Sequence, residues 1–396
     1  MDRIKDKVLC NPTVKLTKGY EYPFVGIDKI TSGNRDITPT AKETYTGQSC
    51  SKFRKGDTIM ARITPCLENG KIARYNLDSE LAMGSTELFV FREMEKISDN
   101  NYIYYLISTN YVRNNAVNSM TGASGRQRAD IKFIGKLKWN FPEYDIQCRI
   151  GKILSTYDDL IEKNNRKIEI LQEMAEELYK EWFVRRKSST WATLKLKQFG
   201  YEIESGARPK GGIDDSLIEG IPSLGAEVID KLGVFDYSNK KLIPNEFYEK
   251  MKRGTGKDKD ILLYKDGAYI GKVTLFMDKF PYEKYAVNEH VFLMRAKNDI
   301  YQYFLYFTLN QPQYFTTMQN LNRNAAQPGL TGKDLDIIKI CKPDEHTITK
   351  FNSTVEPMLH NIFSLAKQNN ILKQQRDLLL PRLMSGKLEV KGDAHA

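Results

Sequence analysis

A chain of 396 residues is longer than one hydrophobic core can fill, so two or more domains are expected. It is 41% hydrophobic and 28% charged, with no apolar run of 18 residues and a polar opening, MDRIKDKVLC; neither a membrane span nor a secretory leader is expected. Its net charge of +10 suits an anionic partner, but the excess is uneven: residues 1–149 hold 23 Lys and Arg against 17 Asp and Glu, residues 188–346 hold 22 against 21.

In chain order, FVGIDKI (24–30), DTIMARI (57–63), GKIARYN (70–76) and ELFVFR (87–92) read as short strands punctuated by Gly, Asn and Pro. A helix is predicted over Asn101–Ser119, capped by Asp99 or Asn100. A long heptad seam follows, through Ile150, Leu154, Tyr157, Ile161, Asn164, Ile168, Leu171, Ala175, Leu178 and Trp182.

The plan then repeats. IPSLGAEVI (221–229), DILLYKD (260–266), YIGKVTLF (269–276) and HVFLMR (290–295) are strand-like, and a helix is predicted after Asp299. Glu87 of TELFVFR answers to Glu289 of NEHVFLMR, 202 positions on, and Pro142 to Pro343, 201 positions on. A second seam runs through Phe351, Val355, Met358, Ile362, Leu365, Asn369, Leu372, Arg376, Leu379 and Leu383, with Pro381 expected to end or kink its helix. Each long helix would span roughly 50 Å at 1.5 Å per residue. The two seams are expected to pair antiparallel, with a domain at each end of a rod, and Asn164 and Asn369 are placed to fix the register. The fold class expected is α+β: two similar mixed α/β domains separated by an antiparallel two-helix coiled coil, as an internal pseudo-two-fold repeat.

Chemistry is sparse. The five cysteines (Cys10, Cys50, Cys66, Cys148 and Cys341) and the four histidines are scattered without CxxC or ligand spacing, so a reducing cytoplasm, no disulfide framework and no metal site are expected. GLTGKD (329–334) lacks P-loop spacing, and GxSxG, HExxH and a Gly-rich methyl-donor loop are missing. Glu389 and Lys391 read as solvated tail charges, and His290 as a packed or hydrogen-bonding histidine on a strand. No catalytic residue is assigned.

The polar loops are better suited to nucleic acid. TGASGRQRAD (121–130) offers Gly122 and Gly125 for close backbone approach, Arg126 and Arg128 for phosphate or guanine, and Gln127 for adenine. Its positional counterpart, NLNRNAAQPG (320–329), offers Arg323, Asn324 and Gln327. A turn between strands holds Arg62, Thr64, Asn69 and Lys71; the equivalent turn in the second half holds Lys265, Asp266, Tyr269 and Lys272. ESGARPKGG (204–212) adds Arg208 and Lys210. The bland alternative is a mobile, solvated basic loop for TGASGRQRAD and an ordinary turn for the others.

With KFRKGDTIMARITPCLENGKIA and GSTELFVFR in the first half, ESGARPKGG, GIPSLGAEVI, DILLYKDGAYIGK and VNEHVFLMRA in the second, and the helical signatures KILSTYDDLIEKNNRKIEILQEMAEELYKEWF (152–183) and QRDLLLPRLMSGKL (375–388), the whole chain resembles the DNA specificity subunit of type I restriction–modification systems. The resemblance implies target-recognition domains at 1–147 and 188–346, a central helix at 148–187, a C-terminal helix at 347–386 and a tail at 387–396. It further implies that each domain reads half of a split double-stranded DNA target. The helices would serve as a ruler and as the docking surface for modification subunits, in two copies, which methylate adenine N6. S-adenosylmethionine, ATP and Mg are then expected on those and the restriction (motor) subunits, and none on this chain. One departure concerns the start: FVGIDKI begins at position 24, whereas WATLKLKQFGYEIESG (191–206) makes a longer lead-in to the second domain. The C-terminal tail is therefore expected to complete the first domain's edge, in a circular arrangement. The alternatives are a non-catalytic fragment of a fused methyltransferase–nuclease and a coiled-coil adaptor without DNA specificity.

Overall fold

The computed structural model describes residues 1–390 except Pro39, Ser124, Asn239, Ala268 and residues 322–328. Two compact units emerge, Met1–Ile161 with Ile371–Ala396, and Glu162–Asn370. The C-terminal segment thus belongs with the N-terminal domain: Leu379, Leu380, Leu383, Met384 and Val390 pack with Ile4, Val8, Ile150 and Leu154.

The first unit runs β1 (Asp2–Arg3), α1 (Ile4–Lys7), β2 (Val8–Cys10), β3 (Glu21–Val25), β4 (Lys42–Thr44), β5 (Ser51–Arg54), β6 (Thr58–Ala61), β7 (Ile72–Arg74), β8 (Leu81–Gly84), β9 (Leu88–Glu93), α2 (Asn100–Ser108), α3 (Asn110–Asn118), α4 (Ile131–Lys136) and β10 (Lys138–Trp139). It then enters the 37-residue helix α5 (Tyr144–Lys180). The second unit follows with β11 (Ala192–Lys195), α6 (Leu196–Phe199), β12 (Tyr201–Ser205), β13 (Ile221–Leu224), β14 (Leu242–Ile243), α7 (Asn245–Lys250), β15 (Asp260–Tyr264), β16 (Val273–Phe276), β17 (Ala286–Val287), β18 (Val291–Ala296), α8 (Gln302–Leu309), α9 (Pro312–Leu321), α10 (Gly332–Asp336) and β19 (Lys339–Lys342). The 40-residue helix α11 (Glu345–Met384) leads back to the first unit.

The sheets repeat in the same order: β2-β9-β6-β7 in one unit, β12-β18-β15-β16 in the other. In each, a second sheet is joined through a parallel pair, β3 with β8 and β13 with β17. The near-continuous apolar runs of β6 and β9 are explained by burial on both faces. Met60, Phe89 and Phe91 face the core containing α2, while Ile59, Leu88 and Val90 face the second sheet. Both central sheets are pinned by a buried ion pair. Arg92 forks onto Asp57 at 2.7 Å through each of Nε and Nη2; 203 positions later, Arg295 reaches both oxygens of Asp260, with Nη2 at 2.8 Å.

The elements deviate locally from the sequence reading. FVGIDKI and IPSLGAEVI are strands only as far as Val25 and Leu224, and then turn through short 3-10 helices, Ile27–Lys29 and Ala226–Val228. The helix predicted over Asn101–Ser119 is two helices, because Thr109 leaves the helical conformation and its side chain accepts from Val112 N–H, capping α3. Asp99 caps α2 by accepting from Tyr102 N–H at 2.9 Å. In the second unit a 3-10 turn, Asp299–Tyr301, capped by Asn298, precedes α8.

The long helices pack on each other within each unit. In the second unit Asn164 donates to Asn369 at 2.9 Å while Tyr179 meets the Phe351 ring, an antiparallel pairing. Asn369 in turn donates to Asn165 at 2.8 Å. Ile168 and Ile362 are buried in that core, with Leu171, Met358 and Leu365 half-buried against it. In the first unit Leu154 and Ile161 are buried, Leu372 is half-buried, and Arg376 pairs with Asp158, which also accepts from Tyr105. The stripe on α11 is wider than a two-helix seam: Leu359, Phe363 and Ala366 are buried more deeply than Met358 and Leu365, because the helix also packs on the second unit's core. Pro381 lies inside the last turn of α11, which ends three residues later.

Candidate nucleic-acid interface

In the first unit the site lies where β6 leaves the central sheet and β9 enters it. Arg62 is the first residue beyond β6. Its N–H donates to the Glu87 carbonyl (2.9 Å) and its carbonyl accepts from Ala129 N–H (2.8 Å). Thr64 N–H donates to the Gln127 carbonyl (3.1 Å), and Gln127 N–H to the Thr64 hydroxyl (3.2 Å). Four of the polar residues singled out from sequence, Arg62, Thr64, Gln127 and Arg128, are thereby stitched into one surface. An antiparallel bridge between Thr121 and Arg128 closes the loop on itself, with Gly122 and Gly125 at positive φ.

Glu87 is the electrostatic centre of this surface. Arg128 grips it bidentately, Nε at 3.0 Å and Nη2 at 2.7 Å, and the Arg62 Nε stands 3.8 Å away. The hydrogen bonds from Arg128, and then the nearby guanidinium charges, hold the Glu87 carboxyl below the usual carboxylate range. Arg62 also lies over the Phe89 ring, 5.2 Å from its centroid. Arg126 and Asn69 are exposed, with side chains making no bond among the described residues. Lys71 is half-buried and its ammonium donates to the Ile27 carbonyl at 2.9 Å, so its first role is to hold the 3-10 turn. Arg128 likewise spends its fork on Glu87.

The second unit builds the same place with other side chains. Lys265 follows β15; its N–H donates to the His290 carbonyl (3.0 Å) and its carbonyl accepts from Leu330 N–H (2.8 Å). The ammonium lies 5.1 Å from the Phe292 centroid and donates to the Glu289 carbonyl at 3.2 Å. Arg208 reaches the Glu289 carboxylate at 3.3 Å. The loop carrying Arg208 leaves β12 at Gly206, where a Cβ would stand 1.5 Å from the Val287 carbonyl oxygen; only glycine passes there. Tyr269 is 59% exposed, with the Lys272 ammonium 5.4 Å from its ring centroid and Asp230 4.0 Å from that ammonium. Lys210 is exposed. Arg323, Asn324 and Gln327 lie outside the described residues.

Strand register corrects one correspondence. Ala61 pairs with Leu88 and Tyr264 with Val291, so the residue in Glu87's place is His290; with Val25 paired to Gly84 and Leu224 to Val287, both turns have the same length and Glu289 answers to Thr86. Both Glu289 and His290 precede β18 rather than lying on it. The His290 Nδ1 is 2.7 Å from Asp266 Oδ1. In the sequence Glu87 and Glu289 stand out only as markers of the repeat. Their role as anchors for distant arginines, 41 and 81 positions away, leaves no local pattern.

Among the described residues no group of three or more His, Cys, Asp or Glu could hold a metal, and no helix is long and apolar enough to cross a membrane. All five cysteines are free thiols. What the arrangement offers is exposed cations, amides and ring faces around a rigid sheet end, groups that bind phosphate and base edges.

The type I restriction modification DNA specificity domain matches the chain twice, over residues 6–172 and 188–355. The type I restriction enzyme MjaIX specificity subunit of Methanocaldococcus jannaschii is 25% identical over 96% of this chain and 86% of its own length. The MjaVIII specificity subunit of the same organism is 22% identical over 78% of this chain and 74% of its own. In fold, the crystal structure of a type I restriction-modification system S subunit from M. genitalium is similar, with a TM-score of 0.57 at 15% identity over 98% of this chain and 96% of that one. A double family match on two units of repeated topology is decisive: the chain belongs to the type I restriction–modification DNA specificity family, the non-catalytic component that determines which DNA target is recognised.

Proposed function

We propose that each unit reads one half of a bipartite double-stranded DNA target through the sheet end described above. The first would use Arg62, Thr64, Asn69, Lys71, Arg126, Gln127 and Arg128; the second Arg208, Lys210, Lys265, Tyr269 and Lys272, together with Arg323, Asn324 and Gln327. The observation that carries this reading is one backbone framework built twice with different side chains around it. Target-recognition domains at 1–147 and 188–346, joined through helices at 148–187 and 347–386, are the division this function calls for. The helices dock modification subunits, two of them, which bring S-adenosylmethionine and methylate adenine N6. ATP and Mg belong to the restriction subunits, and the assembly works in the cytoplasm. The number of residues in α5 and α11 sets the number of base pairs between the half-sites.

The test is DNA binding by the assembled complex. Arg126→Ala is expected to weaken binding to the target without dissociating the subunits. Loss of assembly instead would transfer the loop from DNA to protein recognition. A complex with no sequence preference at all would leave only a coiled-coil adaptor.

A further inference from the structure

Two readers of different half-sites should differ wherever they touch bases and agree wherever they touch what the half-sites share. What all duplex sites share is the sugar–phosphate backbone. At the rim, the two units agree in backbone and in charge one residue past β6 and β15. Arg62 and Lys265 stand 203 positions apart, each donating its N–H to the residue preceding the last strand. Each carbonyl accepts from a backbone N–H at the end of the polar loop or just past it, that of Ala129 or Leu330, at 2.8 Å. Each cation lies over the phenylalanine at the same place on the last strand, Phe89 or Phe292, at 5.2 and 5.1 Å. It is the charged head itself, the Arg62 guanidinium carbon and the Lys265 ammonium, that the ring face holds in place.

Around this shared cation the units diverge. Asn69 is exposed on the first unit's strand-connecting turn and Tyr269 on the second's; Glu87 is matched by His290. The shared position also tolerates a change of cation, Arg in one unit and Lys in the other. A phosphate accepts either as a positive charge, whereas a bidentate fork onto guanine would not treat them alike.

Resting on the DNA-reading function proposed above, we infer that Arg62 and Lys265 are equivalent phosphate anchors, one per unit. They set each domain's register on the duplex, and sequence discrimination falls to the neighbours at which the units differ. A purely structural role, the cation held on phenylalanine, is the competing explanation, and it predicts lost stability without a changed salt response.

The experiment measures affinity against salt concentration for the complex of this chain with its modification subunits, on target and on random duplex. Arg62→Gln and Lys265→Gln are compared with Arg62→Lys, Lys265→Arg and Arg126→Ala, and urea midpoints establish that each variant is folded. Each phosphate contact contributes about 0.9 to the slope of log affinity against log salt. Each Gln variant should therefore lower the slope by about 0.9 and weaken both duplexes roughly fivefold near 0.15 M salt. The target-to-random ratio should be unchanged, and the Lys and Arg exchanges should restore binding. An unchanged slope, or an altered ratio, in the Gln variants while Arg126→Ala weakens target binding would overturn the anchors and leave the interface standing. If Arg126→Ala and both Gln variants all bind as wild type does, the anchors fail together with the proposed interface.

Discussion

Replacing Arg92 by Ala should open the first unit's central sheet while leaving the second unit closed. Arg92 and Asp57 are only 10% and 1% exposed, and two bonds of 2.7 Å join them. Without the guanidinium, Asp57 keeps one donor, the Arg54 N–H at 2.8 Å, in a site almost closed to water. Breaking a buried pair on one side costs about 3–5 kcal/mol, and the surviving N–H places this case near 3. A domain's whole stability is about 5–15 kcal/mol, so the first unit would become marginal. Hydrogen exchange followed by mass spectrometry reads each unit separately. At about 1.4 kcal/mol per decade, amides of Thr58–Ala61 and Leu88–Glu93 should exchange more than a hundredfold faster. Those of Asp260–Tyr264 and Val291–Ala296 should not change. The double variant Asp57→Leu with Arg92→Leu removes both charges and should exchange closer to wild type than Arg92→Ala. Protection of the first unit within about 1 kcal/mol of wild type in Arg92→Ala would refute the reasoning.

Glu87 has its carboxyl held below the usual range, so its tether on Arg128 is complete above the ordinary carboxylate pKa and is lost as pH falls through the lowered value. Protection of residues 126–130, taken relative to the intrinsic exchange rate at each pH, should accordingly fall on acidification, and Glu87→Gln should show the lower protection at all pH values; protection independent of pH in wild type would contradict the tether. Asn164→Leu with Asn369→Leu should raise the urea midpoint of the second unit while loosening register, visible as doubled helix resonances; a single sharp set would show that the asparagines do not set register. Gly206→Ala drives a Cβ into the Val287 carbonyl, so a variant with unchanged thermal midpoint would mean that the β12 exit relaxes freely. Adding one heptad to each long helix is expected to lengthen the gap between half-sites, and an unchanged gap in the methylated motif would remove the ruler.

Much of the fold was legible because it rests on local pattern. The repeat, the strands around TIMA and LFVF, and the long apolar helical periods follow from side-chain alternation and heptad spacing, as the buried alternation of Phe89 and Phe91 with Leu88 and Val90 bears out. What stayed hidden depended on contacts distant in sequence. Thr109 breaks a helix through a cap that mimics an ordinary helical position until its hydroxyl is placed. Asp158 is buried on α5 because Arg376 and Tyr105 meet it there, and nothing near Asp158 announces either partner. At the candidate site, residue types were readable but their loyalties were not. Lys71 holds a backbone carbonyl, Arg128 holds Glu87, and Arg126 faces outward, although all three are simply basic loop residues in the sequence. The one-position shift that puts His290, rather than Glu289, in Glu87's place became visible only through strand register.

The most direct measurement is a genome-wide map of methylated adenines in cells carrying this chain with its modification subunits, repeated with the segment 1–147 exchanged for the corresponding segment of another family member. Two separated half-motifs are expected, with the exchange rewriting one half and leaving the other and its gap intact. A single contiguous motif, or an exchange that rewrites both halves together, would contradict two independent readers in one chain.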